Sequence, residues 1–172
     1  MYYFRRASIA GEEKERRRHL FGAFGEGRRP VKPYLWQLGP ERTLLEIPVT
    51  TIPLLKTPFH LSYLSYLGGY SMRLMSAYLD LALGLCRLTG TEPSFLLHPL
   101  DLLGPEHAPQ LAFFPGMQMS SARKGEIFHR VLTELGRRFR LVRMSEHATE
   151  ILRRDLPVRW VRSEPSPGGS AR

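Results

Sequence analysis

The residues of this chain whose types suit chemistry are six histidines, one cysteine and a His-Pro-Leu-Asp turn. The histidines are His19, His60, His98, His107, His129 and His147, and the cysteine is Cys86. No two histidines stand in HxxxH, HExxH or HxH spacing, so no local stretch offers a self-contained metal site. His98 is placed differently from the others. It ends the apolar run Ser94–His98, SFLLH, and Asp101 follows it by three residues. A buried strand ending there would turn the imidazole toward a cleft with a carboxylate near enough to influence it, which is what general acid–base chemistry requires. The plainer reading is a histidine that caps the strand and bonds to backbone. His60, in TPFHLSY, is a substrate contact or a loop imidazole packed on Tyr63 or Tyr66. Cys86 sits inside an apolar helical run and reads as a buried structural thiol.

A second cluster is Gly68-Gly69-Tyr70 with Arg73. Placed directly before a helix, the two glycines would bring backbone N–H groups to an anion or a sugar hydroxyl. Tyrosine and arginine beside them can stack on and hydrogen-bond the same ligand, although two glycines can equally be a hinge. No GxSxG, GxxxxGK or GxGxxG occurs, which removes the α/β-hydrolase, P-loop and dinucleotide-binding readings.

Several elements must position these groups. The length of 172 residues allows one domain with a sizeable core. A single cysteine excludes an internal disulfide framework. No apolar run reaches the length of a membrane span and the start lacks a signal-peptide pattern, so a cytoplasmic address is expected. The net charge of +9 divides into +5 over residues 1–42, −2 over 43–119 and +6 over 120–172. The middle, where the chemistry-bearing residues lie, is not basic, so the excess reads as solvated flanks and no nucleic-acid partner is expected.

Glu12–Phe24 is predicted as a short exposed helix, and Gly25–Tyr34 as a basic loop that delivers Tyr34 and Trp36. Leu44–Ile52 is β-branched and apolar, and Pro48, which lacks a ladder donor, limits it to an edge strand, a strand end or a bulge. Met72, Met75, Leu79 and Leu83 mark a largely buried helix from Ser71 to Gly90. Ile127, Val131, Leu132 and Leu135 place another over Ala122–Phe139, facing a sheet. Phe139–Met144 reads as a half-exposed strand, with Ser145 capping a last helix to Arg153. After Pro157 a disordered tail is expected. The alternation of helix and strand points to parallel α/β architecture.

Three stretches in this order resemble the C-terminal half of the polysaccharide deacetylases of carbohydrate esterase family 4. Leu44–Pro58, LLEIPVTTIPLLKTP, is similar to their Leu-Glu-Ile/Phe-Pro-Val strand. Gly68–Arg73, GGYSMR, resembles their Gly-Gly-x-Tyr-Phe-Arg helix start, departing from it at Ser71 and Met72. Phe95–Gly104, FLLHPLDLLG, resembles their late strand ending in His-Pro-x-Glu/Asp.

The resemblance implies an α/β fold, a partial distorted (β/α) barrel amounting to roughly the C-terminal half. It implies the organisation 1–24, a basic segment with a short helix; 25–156, the deacetylase-like part; and 157–172, the tail. The family activity is metal-dependent hydrolysis of the amide of N-acetylated sugars, on a polysaccharide or oligosaccharide partner. His98 matches the general acid, with Asp101 and Arg73 orienting, and Tyr70, Tyr34, Trp36 and His60 as substrate contacts. The family's divalent metal, zinc or similar, and its base come from a Thr-Phe-Asp-Asp-Gly strand and a His-Ser/Thr-x-x-His turn. Neither occurs in these 172 residues. The expectation is a truncated chain with no metal ligands of its own, inactive without an N-terminal half. The alternative is a non-catalytic glycan-binding or structural remnant.

Overall fold

The computed structural model describes residues 30–114 and 116–161. The helix expected over Glu12–Phe24, the charged stretch before Pro30 and the residues after Val161 lie outside these.

The first element is a hairpin. Strand β1 (Tyr34–Gly39) pairs antiparallel with β2 (Arg42–Glu46), setting Tyr34 opposite Glu46, Leu35 opposite Leu45 and Trp36 opposite Leu44. The turn falls at Gly39-Pro40-Glu41, and the register shifts between Gln37 and Gly39, where the Gln37 amide donates to the Gly39 carbonyl. Strand β2 stops two residues before Pro48, as a residue without a donor dictates. A short third strand, β3 (Val158–Trp160), lies parallel to β1, giving the order β2-β1-β3. The central strand thus starts at Tyr34, the last residue of the stretch expected as a loop, and the stretch expected as a tail begins with an edge strand.

From Thr50 the chain folds tightly on itself. The Ile52 N–H donates to the Thr57 carbonyl and the Lys56 N–H to the Ile52 carbonyl, across a turn in which Leu54 and Lys56 have φ of 69° and 52°. Phe59 is then buried, and helix α1 (Leu61–Tyr70) follows. Its buried positions Leu61, Leu64, Ser65 and Gly68 fall at helical spacing. Ser71 breaks the helix with an extended backbone, and its side chain accepts from the Leu74 N–H to start α2 (Met72–Leu88). Met75, Leu79, Ala82, Leu83 and Cys86 form the buried stripe of α2, and Gly90 closes it at φ 60°.

Helix α3 (Ser121–Arg138) is capped by Ser120, accepting from the Arg123 N–H, and buries Ile127, Val131 and Leu135. Helix α4 (Met144–Leu152) buries Ile151. Helices α1, α2 and α3 pack on one another around Ile52, Phe59, Leu64, Leu79, Ile127 and Val131, all essentially inaccessible. Each such side chain contributes about 2 kcal/mol of burial. Gly68 is where α1 and α3 approach most closely: a Cβ there would lie 2.7 Å from Cδ1 of Ile127.

The expected partial (β/α) barrel is therefore corrected, and with it the deacetylase-type β/α-barrel assignment. Among the described residues the sheet is small, mixed and open, with three strands. The physical reason lies in the two expected strands that would have supplied parallel units. Ser94–His98 is extended between Pro93 and Pro99, but it meets another extended segment only at Ser94, whose carbonyl accepts from Thr50 N and whose N–H donates to Thr50 Oγ1. Phe139–Met144 likewise forms no ladder. The α3 stripe faces α1 and α2 rather than a sheet. Among the described residues no helix is long and apolar enough to cross a membrane.

Candidate functional site

The extended segment 94–98 delivers His98 to the start of a 3-10 turn, Pro99–Asp101, where Pro99 fixes the first φ and has no donor to lose. The turn closes on itself: Asp101 N donates to the His98 carbonyl at 2.9 Å, and His98 N donates to Asp101 Oδ2 at 2.8 Å. The same Oδ2 lies 3.4 Å from His98 Nδ1. The carboxylate is 7% exposed and the imidazole about half exposed. Nδ1 is the nitrogen turned inward, which leaves Nε2 for an incoming group.

Helix α1 completes the cluster. Ser62, in its first turn, donates to Asp101 Oδ1 at 2.6 Å, and its Oγ lies 3.3 Å from His98 Nδ1. Both carboxylate oxygens of Asp101 are thus engaged. His60, just before α1, sets its ring 6.1 Å from that of His98 in an edge-to-face arrangement. Its Nδ1 is buried without a hydrogen-bond partner among the described residues. Burial pushes the His60 pKa below its ordinary value of 6.5, the nearby Asp101 opposing this and His98 adding to it.

Behind the turn, Lys124 of α3 is 3% exposed. Its ammonium donates to the carbonyls of Leu100 at 2.8 Å and Leu103 at 2.5 Å and contacts Met117 Sδ at 3.6 Å. Burial lowers its pKa, with Asp101 and Glu106 acting in the opposite sense. Glu106 accepts from Ser121 N at 2.6 Å at the start of α3, and hydrogen bonding from the Ser121 side chain, from its own backbone and from Ser121 N holds its carboxyl down to about 2.

The other expected residues are distributed differently. Tyr70 ends α1 with its ring 73% exposed, stacked edge-to-face on Tyr66. Ser62, Tyr66 and Tyr70 recur every four residues, so the aromatic pair continues the helix face that starts at the cluster. Arg73 is exposed at the start of α2, and no hydrogen bond or ion pair among the described residues joins it to His98 or Asp101. Tyr34 is 1% exposed in β1, against the edge of Trp36 and beneath the Arg159 guanidinium. Gly68-Gly69-Tyr70 does stand directly before α2, but it is itself the last turn of α1, so those backbone N–H groups belong to α1. Cys86 is buried, which pushes its thiol up to about 11.

Sequence reasoning missed Ser62 and Lys124. Ser62 was hidden because TPFHLSY reads as a loop, although Leu61, Leu64 and Gly68 carry a helical spacing. Lys124 sits three residues before Ile127 and seven before Val131, within the apolar stripe, which marks it as facing inward.

A cavity of about 480 Å³ lies elsewhere, between the segment from Glu92 to Phe95, the end of α3 and α4. None of the expected site residues lines it, and of its charged lining residues Arg140 and Glu150 are already bonded to each other. Among the described residues, no group of three or more His, Cys, Asp or Glu side chains is placed to hold a metal ion.

No family model, curated protein or solved structure matches the chain.

Proposed function

We propose that the turn from His98 to Asp101 is the proton-transfer part of a site that hydrolyses the amide of N-acetylated sugars. The observation that carries this reading is the pairing of a half-exposed imidazole with a buried carboxylate 3.4 Å from its inward nitrogen. Asp101 fixes the ring through Nδ1 and stabilises the imidazolium. Nε2 then gives its proton to the departing amine, so the sugar leaves as a neutral amine rather than an amide anion. The resemblance of FLLHPLDLLG to the late motif of the deacetylases supports the same assignment. The sequence holds no counterpart of the family's metal-binding and base motifs, and no step is routed through a metal here. These residues supply the acid and its orienting carboxylate, and the remaining groups come from outside the 172 residues.

A glycan-binding role without chemistry is favoured by one specific observation, the Tyr70 ring standing 73% exposed on the helix face that leads to the cluster. Binding calorimetry and acetate release with N-acetylated chito-oligosaccharides separate the two. The proton-transfer reading expects binding without acetate release by the chain alone, weakened about tenfold by His98→Ala. Binding that is indifferent to His98→Ala and lost with Tyr70→Ala or Trp36→Ala would establish the lectin-like role instead. Absence of binding, or acetate release by the chain alone, would overturn the proposal.

A further inference from the structure

We propose that Lys124 is the positioning residue of the His98–Asp101 pair, an inference that rests on the functional reading above. Its ammonium is bonded to carbonyls on both sides of Asp101, those of Leu100 and Leu103, at 2.8 and 2.5 Å. No regular structure satisfies this stretch: the 3-10 turn ends at Asp101 and the chain runs irregularly to Ala108. A cation with three donors suits such a place, because one group can hold two carbonyls that no ladder pairs. Burying it is costly, and an apolar side chain of similar volume would pack in the same stripe without that cost. The residue therefore serves the local geometry of the turn rather than the stability of α3.

The anchor itself is rigid. Lys124 precedes Ile127 and Val131, both fully buried against α1 and α2, so its stem is fixed by the core. Glu106 makes a second tie from the same loop to the first turn of α3, through Ser121 N. Two points of the loop are thus fastened to α3, while Ser62 fastens Asp101 to α1. The carboxylate is triangulated by two helices, and His98 follows from it through the 2.8 Å bond of its backbone N–H.

The test is Lys124→Met, read by amide hydrogen exchange with residue resolution. The His98 N–H, which donates to Asp101, is expected to exchange at least about tenfold faster in the variant, while Leu79 and Val131 in the core change in parallel with global stability only. Unchanged protection at His98, or a rise no greater than that of the core amides, would overturn the proposal. Should Lys124→Met fail to fold, acetic anhydride labelling of the wild-type chain decides. Lys124 is then expected to acetylate at least about tenfold more slowly than the exposed Lys32 and Lys56, and equal rates would overturn the clamp. Neither readout depends on sugar binding, so failure of the functional reading and failure of this one are told apart.

Discussion

Ser62 Oγ stands 2.6 Å from Asp101 Oδ1, and this bond is what joins helix α1 to the turn that carries His98. It links residues 39 positions apart and leaves the carboxylate with no free oxygen on that side. Removing the hydroxyl strands a largely buried acceptor. Ser62→Ala is expected to destabilise the chain by about 1 kcal/mol in urea unfolding and to raise the mobility of the His98 ring in NMR relaxation. An unchanged ring would show that α1 does not hold the turn.

The pH dependence of stability follows from His60. Burial lowers its folded pKa, so below 6.5 the unfolded chain binds the proton more readily than the folded one. The stability associated with this group is complete well above 6.5, falls as the pH drops through 6.5, and stops falling once the pH is below the folded value. The urea midpoint is therefore expected to decline between about pH 7.5 and pH 5, and to decline less in His60→Gln. Equal declines in the two proteins would contradict the buried placement of His60.

Two glycines in neighbouring helices should respond oppositely to the same substitution. In α1, a Cβ at Gly68 meets Cδ1 of Ile127 at 2.7 Å and Cγ1 at 3.1 Å, inside a packed core. Overpacking of this kind outweighs the gain in helix propensity, and Gly68→Ala is expected to lose about 1 kcal/mol. In α2, nothing lies within 4 Å of a Cβ at Gly84, which is exposed. Gly84→Ala is expected to gain about 0.5–1 kcal/mol. Thermal unfolding of the two variants checks both signs.

Cys86 should be inert in the folded chain. It is buried in the α2 stripe, and its thiol is raised to about 11, so little thiolate exists near neutral pH. Iodoacetamide at about pH 8 is expected to label it only after denaturant is added, in proportion to the unfolded fraction. Rapid labelling of native protein would mean that α2 opens locally.

How far the molecule is legible in its sequence depends on where the information lies. Helices α2 and α3 carry apolar stripes at helical spacing with serine caps, and both are found where that pattern puts them. The turn at His98 is marked by prolines on both sides of FLLH. The sheet is not legible in the same way. SFLLH and FRLVRM have strand composition, but a strand needs a partner, and pairing is a property of the fold that no local pattern encodes. Conversely, VRW near the end is too short to signal a strand until Leu35 is beside it. Within the site, His98, Asp101 and His60 come from types and placement along the chain. Ser62 and Lys124 are ordinary residues given roles by contacts across 39 and 21–24 positions, which sequence spacing does not reveal.

The paired arginines explain why charge misleads as a functional guide. Arg138 bonds to Asp80 of α2, Arg140 to Glu146 and Glu150 of α4, and Arg154 grips Glu92 with both terminal nitrogens. Much of the C-terminal basic surplus thus fastens helices and loops together. Each exposed pair contributes little alone, on the order of 0–1 kcal/mol.

The most direct test of the account is the titration of the wild-type chain with an N-acetylated chito-oligosaccharide, followed through the ring resonances of His98. Saturable shifts of the His98 and Tyr70 rings are predicted by about 10 mM sugar, with the exposed His129 of α3 unmoved, and a weaker response to the deacetylated oligomer. Flat His98 resonances over that range, or identical shifts at His129, would contradict it.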